Sequence, residues 1–429
     1  MNVEMKITSS TTMVFLFLVM SANFPGTFSY TKQIPTKLNS FQLPLPKSGA
    51  ASSVFLRALG SIYPLGYFAV NLTVGKPPKL FDFDFDTGSD LTWVQCDAPC
   101  TGCTKPPEKQ YKPHKNIVPC SNPRCAALHW PNPPRCKHPN DQCDYEIEYG
   151  DGGSSIGALV TDLFPLRFSN GSVFNVPLTF GCGYNQHNPG PLSPPDTAGV
   201  LGLGRGRISI VSQLREYGLI RNVIGHCIGQ NGLGVLFLGD GKVPSSGVAW
   251  TPMLQNSADL KHYILGPAEL LYSGKSCGLK DLTLIFDSGA SYAYFTSRVY
   301  QEIVSLIMRD LIGTPLKLAP DDKTLPICWR GPFKALGQVT EYFKPLALSF
   351  TNRRNSVRLD VPPEAYLVIS GRKNVCLGIL NGSEAEVGEN NIIGEIFMQD
   401  KMVIYDNEKQ RIGWKPEDCN TLLSLNHFI

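Results

Sequence analysis

Two carboxylates in this chain sit in the same local setting. In Phe81-Asp82-Phe83-Asp84-Phe85-Asp86-Thr87-Gly88-Ser89 an apolar/acidic alternation runs into a turn and leaves Asp86 at its tip; Leu282-Thr283-Leu284-Ile285-Phe286-Asp287-Ser288-Gly289-Ala290 repeats the phase 201 residues later. Both end in Asp, a hydroxyl residue and Gly. Two carboxylates brought close together cannot both ionise cheaply, so they share one proton. One is then a general base and the other a general acid, which is enough to activate a water and polarise the group it attacks, with no metal and no covalent intermediate.

Such a pair needs rigid elements to hold it. Alternation with period two is the signature of a strand and puts Phe81, Phe83 and Phe85 on one face, the three aspartates on the other. Residues 66–75 read as a preceding strand, turning at Lys76-Pro77-Pro78. Asp144 to Leu163 alternates on both sides of a glycine-rich centre, Gly150-Asp151-Gly152-Gly153, and predicts a β-hairpin with a flexible tip. Gly199-Val200-Leu201-Gly202 is matched once more by Asn391-Ile392-Ile393-Gly394. Short helices are predicted over Ser209 to Tyr217, stopped by Gly218, and over Arg298 to Ile312, stopped by Gly313. The same order of parts twice over implies two lobes, 61–247 and 248–429.

The composition suits that reading. The chain has 429 residues, 42% of them hydrophobic, so it can bury a sizeable core; 40 Gly and 34 Pro beside only 17% charged residues favour many short strands joined by turns. Lys6, the apolar run Met13 to Met20 and the small residues Ser21 and Ala22 are laid out as a secretory signal peptide over residues 1–22. That run is short of the roughly 20 apolar residues a membrane span needs. Thirteen cysteines on that route imply disulfides. Seven of them, Cys96, Cys100, Cys103, Cys120, Cys125, Cys136 and Cys143, crowd a Pro- and Lys-rich stretch of little periodicity and are expected to pair mainly among themselves. Asn71, Asn170 and Asn381 stand in glycosylation sequons. Residues 23–60 contain no acid at all. They read either as a basic linker or as a propeptide whose cations, Lys47 or Arg57 foremost, sit in an acidic cleft.

Competing motifs fall away on context. Cys96, Cys100 and Cys103 have the spacing of a metal-cluster site, but in an oxidising compartment with ten other cysteines they read as disulfide partners. Gly153-Ser-Ser155-Ile-Gly157 fits a serine-hydrolase elbow, yet a strand and not a helix follows it. No histidine pair has ligand spacing, and no dinucleotide-binding fingerprint is in register. No cofactor, no metal and no nucleic acid are expected.

Asp86-Thr-Gly-Ser89, Trp93, Tyr149-Gly-Asp-Gly, Val200-Leu-Gly202, Asp287-Ser-Gly289 and Ile392-Ile-Gly394 together resemble the pepsin family of aspartic peptidases. Phe180-Gly-Cys-Gly183, Cys96-Asp-Ala-Pro-Cys100 and Arg411-Ile-Gly-Trp-Lys415 resemble its atypical plant branch, the nucellin-like proteinases. The likeness covers roughly residues 60–420. It implies a mostly β, bilobal fold with a cleft between two similar lobes and a hairpin flap across it. Asp86 and Asp287 match the catalytic pair; Thr87, Gly88, Ser89, Ser288 and Gly289 match the loops that support them; Tyr149, Gly150 and Trp93 match the flap and its tryptophan. The resemblance also implies disulfides Cys182–Cys419 and Cys328–Cys376. It implies an endopeptidase acting at acid pH on extended protein or peptide substrates, blocked by pepstatin-type inhibitors, monomeric, and secreted to the apoplast or sent to the vacuole. The alternative is a catalytically silent inhibitor or binding protein on the same fold. The family usually places a second hydroxyl three residues after its second Asp; here that position is Ala290.

Overall fold

Alternation along the chain becomes a sheet that carries most of the first half. A computed structural model describes residues 52–188, 195–255, 261–333, 335–352, 355–383 and 391–420. The signal-peptide reading and most of the basic segment, residues 1–51, lie outside the described residues, as does 421–429. The strands of the first half are β1 (Val54–Ser61), β2 (Tyr67–Val74), β3 (Lys79–Asp86), β4 (Trp93–Gln95), β5 (Asp144–Glu148), β6 (Ser154–Arg167), β7 (Val173–His187), β8 (Gly199–Gly202), β9 (Val223–Ile228), β10 (Leu233–Leu238) and β11 (Ala249–Pro252). Those of the second half include β12 (Ile264–Tyr272), β13 (Leu282–Phe286), β14 (Ala293–Phe295), β15 (Leu346–Asn352), β16 (Asn355–Val361), β17 (Ile379–Asn381), β18 (Asn391–Ile393), β19 (Lys401–Asp406) and β20 (Arg411–Pro416).

The fold is mostly β and bilobal. One 13-stranded sheet runs β11-β20-β19-β9-β10-β1-β2-β3-β8-β4-β7-β6-β5, and an eight-stranded sheet has the path β16-β15-β12-β13-β18-β14-β17, with the two-residue strand Lys275–Ser276 pairing β12 off that path. Phe81, Phe83 and Phe85 are buried in the core as their phase predicts. The C-terminal strands β19 and β20 cross into the first sheet, with β19 antiparallel to β9. Helix α1 (Pro123–His129), capped by the Asn122 side chain, is the one α-helical element inside the cysteine-rich stretch. Helix α2 (Ile210–Glu216) has Ser209 as its cap, and α3 (Ser297–Asp310) buries Val299, Ile303, Leu306 and Ile307 on one stripe. Both agree with the predicted spans to within two residues. The short α4 (Glu395–Met398) follows Gly394. No helix among the described residues is long and apolar enough to cross a membrane.

The structure corrects two expectations about the chain's ends and cross-links. The sequence places the end of the basic segment at residue 60, but β1 begins at Val54 and pairs with both β10 and β2, with Ala58 fully buried. Residues 54–60 are therefore part of the fold, and Arg57 lies opposite Val235 at an exposed strand position. Cys182 does not meet Cys419. It bonds Cys96, because β4 runs parallel to β7 with Val94 beside Cys182, while Cys419 returns to Cys227 on β9. Within the crowded stretch Cys100–Cys103, Cys120–Cys136 and Cys125–Cys143 form, and Cys328–Cys376 joins two neighbouring strands as expected. Cys277 is the thiol left over.

Candidate active site

Asp86 ends β3 and Asp287 follows β13. Each of these strands lies parallel to the strand of the matched apolar-apolar-Gly motif: β3 to β8, with Asp86 opposite Gly202, and β13 to β18, with Phe286 opposite Ile393. The recurring pieces of sequence are thus neighbours in space. Each pairing fixes where a strand ends and so where its carboxylate sits.

The two loops then meet. Gly88 N–H donates to Asp86 Oδ1 at 2.7 Å and Ser89 Oγ donates to Asp86 Oδ2; on the other side Gly289 N–H donates to Asp287 Oδ1 at 2.9 Å. A methyl group on Gly88 would stand 2.5 Å from Asp287 Oδ1, and one on Gly289 would stand 2.5 Å from Asp86 Oδ1. Each carboxylate therefore occupies the space left by the glycine of the opposite loop. Only residues without a side chain allow this approach. Thr87 N–H donates to Ser288 Oγ at 3.1 Å and Ser288 N–H to Thr87 Oγ1 at 2.9 Å, while the two hydroxyls donate to the carbonyls of Phe286 and Phe85.

Electrostatics bear on the second acid. Burial, then the neighbouring Asp86 charge and the hydrogen bond to Asp86, raise Asp287 above the usual carboxylate range, opposed by the Gly289 amide and the His262 charge. Asp287 lacks the hydroxyl that Ser89 gives Asp86, since Ala290 holds that position.

The glycine-rich hairpin between β5 and β6 places its tyrosine against the first lobe. Trp93 Nε1 donates to Tyr149 Oη at 2.6 Å, and Asp151 caps the tip by accepting from Gly153 N–H. Burial and the Asp86 charge push the Tyr149 phenol well above its usual range, so it is a neutral donor at any working pH. Gly150 lies exposed in the turn. Ser155 is fully buried inside β6, a position no nucleophile elbow could use. Asn71 and Asn170 are exposed, whereas Asn381 is 7% exposed and its side chain accepts from Ser297 Oγ.

Three groups near the pair carried no signal of spacing. Glu395, at the start of α4, is fully buried; its N–H donates to Ala290 O at 2.7 Å. Burial and then the charges of Asp84 and Asp287 raise it well above the usual range. His226 and Tyr405, from β9 and β19, are fully buried behind the loops. Their only sequence mark is a polar group beside apolar neighbours, as in Val403-Ile404-Tyr405.

Comparison with known proteins agrees with this geometry. Two family models match, one described as xylanase inhibitor N-terminal over residues 68–240 and one as xylanase inhibitor C-terminal over residues 277–416. An aspartic proteinase of Oryza sativa subsp. indica is 41% identical over 386 residues, spanning 87% of this chain and 92% of its own. Nepenthesin-1 of Nepenthes gracilis, also an aspartic proteinase, is 27% identical over 82% of this chain and 78% of its own. Among solved structures, basic 7S globulin from soybean superposes with a TM-score of 0.66 at 17% identity, over 86% of this chain and 98% of its own. Conglutin gamma from lupine seeds gives 0.65 at 15%, over 87% and 97%. The globulins share the fold; the proteinases share the sequence as well. The chain belongs to the plant branch of the pepsin-like aspartic proteinases and is an aspartic-type endopeptidase.

Proposed function

We propose that Asp86 and Asp287 form the catalytic dyad of an endopeptidase that works at acid pH on extended polypeptides. The observation that carries this is the reciprocal packing of each carboxylate against the glycine of the other loop. With its proton held, Asp287 donates a hydrogen bond to the scissile carbonyl as that oxygen becomes tetrahedral. Ionised Asp86, oriented by Gly88 and Ser89, takes a proton from the attacking water. Tyr149, held by Trp93, closes the flap side of the cleft over a peptide laid across both lobes. Neither a metal nor a cofactor takes part.

The remaining expectations belong to the same reading. Residues 1–22 direct the chain into the secretory route, and part of the basic stretch before β1 acts as an inhibitory propeptide. Asn71 and Asn170 carry glycans, and the mature enzyme is a monomer of the apoplast or vacuole that binds pepstatin-type inhibitors. The family models' descriptions favour a second reading, a silent xylanase-inhibitor-like protein. A complete set of Asp86, Asp287 and Tyr149 weighs against it, because a binding protein has no need of the pair. Cleavage of an unfolded protein substrate at acid pH, with and without pepstatin, separates the two. Pepstatin-sensitive cleavage supports the dyad, and none at any acid pH leaves the binding protein.

A further inference from the structure

At the root of the flap lies an arrangement that the proposed mechanism does not use. Three neighbouring strands put residues in one row: Tyr145 on β5 is opposite Gly157 on β6, and Gly157 is opposite Gly183 on β7. On the far side of β7, Trp93 on β4 lies beside Gly181. A tyrosine and a tryptophan thus flank two strands that carry glycine where side chains would keep them apart.

The glycines let the two aromatic side chains share one seat. A methyl on Gly157 would stand 2.6 Å from Tyr145 Cε1, and one on Gly181 would stand 2.5 Å from that atom and 2.9 Å from Trp93 Cβ. One on Gly183 would meet the end of the Gln186 side chain at 2.6 Å, Tyr145 Oη at 2.9 Å and Trp93 Cε3 at 3.1 Å. Tyr145 therefore lies across β6 and β7 with Trp93 at its far end. It is 3% exposed, and its hydroxyl is 3.1 Å from Ser155 Oγ. Both rings belong to a small apolar cluster, separate from the main core, with Leu91, Leu128, Leu159 and Ile208.

The same place is the fastened end of the hairpin. Val118 N–H donates to Leu159 O at 2.8 Å, Leu159 N–H to Cys143 O at 2.8 Å and Cys143 N–H to Val118 O at 2.9 Å, so the cysteine-rich stretch is bonded to both flap strands. Disulfide Cys125–Cys143 ties α1 there, and the His129 ring lies 3.0 Å from Asp144 O. Toward the tip the inward face of β5 opens from buried Tyr145 to half-buried Ile147 and Tyr149. Trp93 is held at both levels. Its base lies against Tyr145 at the root, and its Nε1–H reaches Tyr149 at the tip.

We propose that Tyr145 is a positioning residue for the flap: seated on Gly157, Gly181 and Gly183, it holds Trp93 in the orientation that presents Nε1–H to Tyr149. The proposal rests on the dyad reading above, in which Tyr149 closes over the bound peptide. A smaller side chain in place of Tyr145 leaves space into which the indole turns, and the bond to Tyr149 is lost. The flap then closes less well on substrate and transition state alike, a loss of uniform binding that raises KM and spares kcat. A merely structural loss lowers the folded fraction and leaves KM as it was.

The test is Tyr145→Leu. KM for a peptide substrate should rise about five- to tenfold, as for one hydrogen bond lost, with kcat per pepstatin-titrated site within about twofold of wild type. Tyr145→Phe keeps the ring on the glycines and should keep the wild-type KM. In a Trp93→Phe background, where no N–H reaches Tyr149, Tyr145→Leu should have no further effect on KM. An unchanged KM in folded Tyr145→Leu overturns the proposal, and so does an equal rise in both backgrounds or the same rise in Tyr145→Phe. Should Tyr145→Leu fail to fold, Gly183→Ala supplies the readout. Its methyl crowds Tyr145 Oη and Trp93 Cε3 and should raise KM in the same way, and an unchanged KM there overturns the proposal. Wild-type hydrolysis that pepstatin does not block overturns the dyad reading and the proposal with it. Pepstatin-sensitive hydrolysis whose KM is untouched by Tyr145→Leu overturns the proposal alone.

Discussion

Thr87 and Ser288 exchange hydrogen bonds, each backbone N–H donating to the other's hydroxyl at 3.1 and 2.9 Å, and both residues are buried. They come from different lobes, so this pair is a direct mechanical link between the two carboxylate-bearing loops. Removing either hydroxyl strands a buried amide, which costs about 1–3 kcal/mol. Thr87→Ala and Ser288→Ala should each lower stability by that order and kcat with it. Because both act on one unit, the double mutant should lose less than the two losses added together. Urea unfolding and kinetics on the four-member cycle decide this, and strict additivity would show that the loops are held independently.

The carboxylates make the sharper demand. An amide at either position can neither share the proton nor act as base. Asp86→Asn and Asp287→Asn should each reduce hydrolysis to background while near-UV circular dichroism and secretion remain close to wild type. Substantial activity in either folded variant would remove the dyad from the mechanism.

How far these features could be read beforehand depended on whether they were local. The phase of Phe81, Phe83 and Phe85, the glycine-rich flap and the stripe of α3 are properties of neighbouring residues, and they were legible. Strand β1 was not. Val54 to Leu59 carries apolar residues on both faces, Phe55 and Leu59 beside Arg57 on one of them, so its alternation is masked and only its place between β10 and β2 reveals it. The Cys96–Cys182 bond follows from a parallel pairing of strands far apart in sequence, which spacing does not encode. His226, Glu395 and Tyr405 were silent for the same reason. Each is a single polar residue in an apolar run, and what makes it matter is a partner in the other half of the chain.

Two of those groups predict how stability depends on pH. Glu395 is fully buried and its carboxyl is raised well above the usual range. A raised acid contributes fully below its unfolded value, about 4.3, and loses that contribution as pH rises toward the folded value. His226, lowered to about 3, behaves in the opposite sense; its contribution is intact above about 6.5 and is lost as pH falls toward 3. The folded state is squeezed from both sides, by up to about 1.4 kcal/mol per pH unit for each group. Glu395→Gln should therefore gain Tm over wild type near pH 7 and little near pH 4, and His226→Gln should gain near pH 4 and little near pH 7. Curves of Tm against pH that run parallel to wild type for either variant would contradict its assignment.

The last prediction concerns the missing hydroxyl. Asp86 has two donors in its own loop, Gly88 N–H and Ser89 Oγ, whereas in the loop of Asp287 the Gly289 N–H donates and Ala290 has no hydroxyl to add. Ala290 packs its methyl against the apolar cluster of Ile264, Ile285 and Ile392. Hydrogen bonds to the charged form favour ionisation, so the absence of one leaves Asp287 protonated to higher pH, in the direction in which burial and Asp86 already drive it. The upper limb of the pH-rate curve falls where the pair loses its shared proton. It should therefore lie nearer neutrality here than in a relative with both hydroxyls. Ala290→Thr supplies the second hydroxyl and should move the upper limb of kcat/KM to lower pH while the lower limb stays in place. A limb that does not move, or moves upward, would show that the threonine hydroxyl does not reach Asp287 and that burial alone sets its proton.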